Sequence, residues 1–184
     1  LWMQTSNKMT SQAKTMLQGQ DKPTTILTLN NFLDAQIEYP SSFADLHQAK
    51  VKDKPTPDPH QSKAIADATS GLKLSDRGQM IMACGTGKTF TTLWIKEALE
   101  AHTTLVLLPS LSLLSQTMRE WAWAGNNDFD ILNVCSDKSV GKKTEDMDPA
   151  DAPFPVTSEV EKITEFLKQP KPKVVFCTYQ SSEL

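Results

Sequence analysis

Cysteine, arginine and long apolar runs are all scarce in this chain of 184 residues. Cys84, Cys135 and Cys177 are too few and too scattered for a disulfide framework or a zinc site, and no C-x-x-C occurs. His47, His60 and His102 are equally dispersed, so no metal cluster is expected from them. An odd, sparse cysteine count fits a reducing compartment, and a cytoplasmic location is the expectation. No apolar run approaches the ~20 residues that cross a bilayer. The start, Leu1-Trp2-Met3-Gln4, lacks the charged-then-apolar pattern of a signal peptide, so no membrane contact is expected. A leading Leu in place of Met reads as a chain cut from a longer one. Arg77 and Arg119 are the only arginines among 19 basic residues, and 22 acidic residues bring the net charge to −3. That balance leaves no electrostatic footprint for nucleic acid, so any such contact has to rest on neutral donors.

What remains is an ordinary globular composition, 39% hydrophobic and 22% charged, with enough length for one domain and an appendage. Residues 1–52 are polar with apolar islands. A short helix is expected over 8–18, a strand over 24–29, and a helix capped by Asn30 that runs to Ile37. Pro55, Pro57 and Pro59 then break the chain into an extended connector. Residues 53–184 alternate regularly. Helices are expected over 61–72, 88–101, 111–124 and 157–168, and strands over 79–83, 103–108, 129–135 and 173–178. A polar loop fills 137–156. This rhythm argues for an α/β domain whose parallel sheet is flanked by helices, preceded by a small α+β appendage.

Between an expected strand and an expected helix stands Ala83-Cys84-Gly85-Thr86-Gly87-Lys88-Thr89. Glycines there let backbone N–H groups curl around an anion, and the helix N-terminus adds partial positive charge. In such a loop Lys88 reaches the β- and γ-phosphates of ATP, and the Thr89 hydroxyl ligates Mg²⁺. The full G-x-x-x-x-G-K-[ST] pattern fails at its first position, where Met82 stands.

The form A-x-x-G-x-G-K-T, led by Ala83, resembles motif I of superfamily-two helicases and DNA translocases. Pro59-His60-Gln61, 27 positions before Lys88 in the case of Gln61, resembles that family's adenine-reading element, although Asp58 stands where an Arg is common. A Gln amide can pair bidentately with N6 and N7 of adenine. Leu105-Val106-Leu107-Leu108-Pro109-Ser110, followed by Gln116, resembles a strand exit that holds one DNA strand by its phosphates. Val174-Val175-Phe176-Cys177-Thr178-Tyr179-Gln180-Ser181 resembles a later phosphate-contacting motif. The resemblance implies Ser110, Gln116, Thr178 and Ser181 as neutral DNA-backbone contacts. Over about 55–184 the wording is most similar to the helicase part of type I, type III and type ISP restriction enzymes. It implies a partial RecA-like lobe in a bacterial-type cytoplasmic protein. Expected partners are DNA, a second helicase lobe, an upstream Mrr-like nuclease joined through residues 1–52, and methylase or specificity components.

Two elements of that family are missing. No D-E-A-D or D-E-x-H box occurs, and Asp137, which mimics its layout, lacks the following Glu. No lysine has Asp or Glu two positions before it, so the E-x-K or D-x-K of an Mrr-type nuclease is also missing. The expectation is therefore a stretch of an ATP-dependent DNA helicase or translocase that binds nucleotide and by itself hydrolyses almost none. A small P-loop kinase and a non-catalytic interaction module are the alternatives. The phosphate-loop strand is further expected to lack its sheet neighbours here, leaving an unpaired edge that favours self-association.

Overall fold

The computed structural model describes residues 2–3, 10, 12–13, 16, 26–126, 128–135 and 155–183. The expected helix at 8–18 and the polar loop at 137–156 lie mostly outside these, as does Asp137.

The appendage is a small α+β unit. Strand β1 (Trp2–Met3) pairs in parallel with β2 (Ile26–Leu27). Helix α1 (Leu29–Leu33) follows, and its cap is Thr28 rather than Asn30. The Thr28 backbone N–H donates to Asn31 Oδ1 at 2.7 Å, a reciprocal capping arrangement that only the residue before the first turn can make. The helix stops at Leu33, because Ile37 is taken by β3 (Ile37–Glu38), which pairs antiparallel with β4 (Lys50–Val51) across a 3-10 turn at Phe43–Gln48. Residues 52–58 run as the connector the prolines require.

The main unit begins with α2 (Pro59–Leu72), where Pro fits the first turn because its missing N–H has no partner to lose. Helix α3 (Lys88–Ala98) stops three residues early, as the chain turns through Leu99 and through Glu100 at φ 50°. Strand β5 (Thr103–Leu108), α4 (Leu111–Ala124), β6 (Asp130–Val134), α5 (Val160–Leu167) and β7 (Lys173–Thr178) complete the order. Residues before α5 are drawn off by a bridge: the Thr157 N–H donates to Asn133 O at 3.0 Å.

All three of the last strands are parallel, in the order β5-β7-β6. The central strand, β7, is buried at every position, whereas β5, whose continuous apolar run reads as a buried strand, lies at the edge with alternate residues exposed. Against it pack Leu93 of α3 and Leu111, Leu114, Trp121 and Ala124 of α4, with Val174 and Phe176 at the centre. Each Leu, Val or Phe among them contributes about 1.5–3 kcal/mol on burial.

One strand is not formed. Residues 79–83 make no ladder among the described residues, and Ile81 is 86% exposed. An extended apolar segment becomes a strand only beside a partner, and no described strand adjoins it.

Among the described residues two contacts join the units, and a third ties the connector to the end of α4. Arg119 of α4 pairs with Asp34 at 3.3 Å, Trp123 Nε1 donates to Lys52 O at 3.4 Å, and Lys54 Nζ donates to Gly125 O.

Candidate functional site

The loop at 83–89 has the curl that its composition called for. Gly85 and Gly87 both take left-handed backbone, at φ +77° and +72°, and Gly87 is the N-cap of α3. Such a conformation costs any other L-residue about 1–2 kcal/mol. The turn is closed by the Thr86 hydroxyl, which donates to Ala83 O at 2.8 Å. Lys88 folds back over it, with Nζ donating to Ala83 O at 2.8 Å and to Met82 O at 3.3 Å. Its ammonium therefore lies on the loop, held by two neutral carbonyls that an anion can outcompete. Thr89 follows, half-buried in the first turn of α3, and Cys84 is exposed on the loop.

A second helix start meets the same turn. Gln61 is 6% exposed, and its amide is engaged at both ends. Oε1 accepts the Asp58 backbone N–H at 2.8 Å, and Nε2 donates to Thr86 O at 3.0 Å. His60 Nε2 stands 3.3 Å from the same carbonyl. A Cβ built on Gly87 would lie 2.4 Å from Gln61 Nε2, whereas one on Gly85 meets nothing within 4 Å. Glycine at 87 is thus demanded twice, by backbone angle and by the approach of Gln61. The N-terminal turns of α2 and α3 converge on Thr86, and their aligned peptide dipoles favour an anion there.

A third contact comes from α4. Trp121 is 2% exposed, and its indole N–H donates to Thr89 O at 2.9 Å. The same ring meets Phe176 of β7 edge-on at 5.5 Å. The motif spacings give no hint of this contact; the helical apolar stripe Leu111, Leu114, Met118 and Trp121 is its one trace in the sequence.

The residues expected on DNA divide into two pairs. Ser110 caps α4, its Oγ accepting from Leu113 N at 3.2 Å and keeping a hydroxyl proton free to donate. Gln116 lies exposed, with Nε2 donating to Glu120 Oε1 at 2.8 Å. Thr178 and Ser181 do not face outward. They are 4% and 2% exposed, with their hydroxyl oxygens 3.0 Å apart, at the end of β7.

A cleft of about 850 Å³ lies between α4 and the appendage, lined by Asp34, Gln36, Lys52, Ser115, Gln116 and Trp123 among others. No residue of 83–89 borders it, so it is separate from the loop. Among the described residues no group of three acidic, His or Cys side chains could hold a metal, and no helix is long and apolar enough to cross a membrane.

The family model for the type III restriction enzyme res subunit matches residues 54–183. Comparison with curated protein sequences gives no match. The chain is similar to the ATP-dependent type ISP restriction-modification enzyme LlaBIII, solved bound to DNA, with a TM-score of 0.83 and 31% identity. That match covers 97% of this chain and 12% of LlaBIII. It is also similar to a nuclease-deletion mutant of the type ISP enzyme LlaGI, solved with a DNA substrate mimic, with a TM-score of 0.56 and 36% identity. Here the match covers 69% of this chain and 13% of LlaGI. The chain thus spans about an eighth of the length of either relative.

Proposed function

The chain belongs to the family of type III restriction enzyme res subunits, and from that premise we propose that its 83–89 loop seats the triphosphate of ATP in the motor of a DNA-translocating restriction enzyme. The observation that carries this reading is the loop itself. Gly85 and Gly87 hold left-handed angles, the backbone from which anion-binding nests are built, and Lys88 already lies across the turn. On nucleotide binding Lys88 exchanges the Ala83 and Met82 carbonyls for phosphate oxygens. Thr89, at the first turn of α3, is the residue that would hold Mg²⁺, which would neutralise phosphate charge. Gln61 acts first as a lock on the loop. Each atom of its amide keeps one further bonding direction, and these are what adenine would use.

In this reading residues 53–184 are part of a first RecA-like lobe, and a second lobe completes the hydrolysing site. DNA meets the lobe through its phosphates at Ser110 and Gln116, while Thr178 and Ser181 brace the end of β7 from within. Residues 1–52 are the appendage toward an upstream nuclease. The match to LlaBIII leaves only 3% of this chain uncovered and so takes in most of that appendage; the family match starts at residue 54. A methylase or specificity component belongs to the same proposal, as does a cytoplasmic location. No D-E-A-D or D-E-x-H box occurs in these 184 residues, so this stretch should bind nucleotide and turn over very little.

The test is a titration of Mg²⁺–ATP against the wild type and Lys88→Ala. Losing a charged hydrogen-bond donor should weaken binding by roughly tenfold or more. Equal affinities would remove the nucleotide site, and with it the motor.

A further inference from the structure

We propose that Trp121 is a positioning residue for the nucleotide site, setting the first turn of α3 so that Thr89 is aimed for Mg²⁺. The inference rests on the phosphate-loop reading above and adds to it a residue that none of its motifs contains. A buried indole N–H has to find an acceptor, and here it finds a backbone carbonyl within the helix turn that carries Lys88 and Thr89. Thr89 O also accepts the Thr92 hydroxyl at 2.9 Å, so two side-chain donors converge on one peptide group directly behind the loop.

What lies on the other side of the ring matters as much. Trp121 packs edge-on against Phe176 in the central strand and belongs to α4, the helix that Ser110 caps. The first turn of α3 is thereby referenced to the most buried part of the sheet. The loop needs such a reference, since residues 79–83 before it form no ladder among the described residues. Trp121 touches neither phosphate nor metal; it acts through the Thr89 peptide.

The measurement is the ratio of ATP affinities with and without Mg²⁺, in the full chain, for wild type, Trp121→Phe and Phe176→Leu. Trp121→Phe keeps a ring and removes the donor. The Mg²⁺ ratio should fall roughly three- to tenfold, the range one net hydrogen bond spans, while Mg²⁺-free affinity stays near the wild-type value. Phe176→Leu removes the ring contact and leaves the donor, so it should lower thermal stability and keep the ratio. A wild-type ratio in Trp121→Phe overturns the proposal. Equal falls in both variants also overturn it, because general packing then explains the effect. If Trp121→Phe does not fold, the wild type still decides. With four tryptophans, the indole N–H region of a ¹⁵N spectrum resolves each ring, and the Trp121 signal is identified by its proximity to the Phe176 ring. That signal should shift when Mg²⁺ joins bound ATP; an unmoved signal overturns the proposal. A wild type that binds no ATP at all refutes the nucleotide reading instead, so the two failures are distinguishable.

Discussion

Gly87→Ala separates the two demands on the loop. The methyl group must sit at φ +72°, which costs about 1–2 kcal/mol, and it must also enter space that Gln61 Nε2 holds, 2.4 Å away. Nε2 is the far end of a side chain and could swing aside in open surroundings. Here the amide is buried and tied at both ends, so moving it gives up the bonds to Thr86 O and from the Asp58 N–H. Two such bonds are worth about 1–3 kcal/mol together, so Gly87→Ala should destabilise by about 2–5 kcal/mol in all. Gly85→Ala is the internal control: its angle is equally left-handed at φ +77°, but its Cβ meets open space, and about 1–2 kcal/mol is expected. Urea unfolding of both variants reads the difference. A double-mutant cycle with Gln61→Ala then isolates the steric part, because Gly87→Ala in that background should cost no more than Gly85→Ala. Equal midpoints for Gly85→Ala and Gly87→Ala in the wild-type background would falsify the idea that Gln61 locks the loop.

Thiol chemistry offers a second check. Cys84 is exposed on the loop, whereas burial, with the nearby Cys135 adding to it, raises the pKa of Cys177. A neutral alkylating reagent should therefore modify Cys84 well before Cys177, and Mg²⁺–ATP should slow the reaction at Cys84 alone; peptide mass spectrometry reads both. Burial lowers the pKa of Lys96, whose ammonium lies 4.5 Å from the centre of the Phe129 ring. The unfolded chain then binds more protons than the folded one in the window below pH 10.5, so this group contributes a stability that rises with pH toward 10.5. Lys96→Met should abolish that contribution, seen as a smaller difference between urea midpoints at pH 8 and pH 10. Strand β5 ends the sheet and exposes Leu105 and Leu107. Sedimentation should show concentration-dependent association that Leu105→Lys reduces; a wild type that stays monomeric at high concentration refutes the open-edge argument.

Much of this was legible in the sequence because it is local. The bounds of α4 and β7 agree to the residue with the sequence pattern, since the α4 stripe reports burial by one neighbouring layer and β7 is covered on both faces. The turn at 83–89 was equally plain, as two glycines and a lysine before a helix specify their own backbone. Composition alone says less where a partner, near or distant, decides. Residues 79–83 have strand composition and no adjoining strand, so composition alone misleads there. Asn30 is a good capping residue, but Thr28 and Asn31 close the turn between them and leave it inside the helix. The hydroxyls of Thr178 and Ser181 suit a phosphate in sequence, whereas in three dimensions they satisfy each other.

Gln61 and Trp121 show what such partners mean for the site. In a strand–loop–helix unit the loop is usually fixed by the strand that enters it. Here the entering segment carries no ladder among the described residues, yet the turn is closed and the lysine is in place. The restraint therefore comes from the far side: Gln61 and His60 hold Thr86 from α2, and Trp121 holds Thr89 from α4. Those three donors act on carbonyls and so take up none of the loop's N–H groups, the donors an anion would use. A loop held through its oxygens keeps its donors for a ligand, and on the proposed reading this division of labour would let the cradle form before any nucleotide arrives.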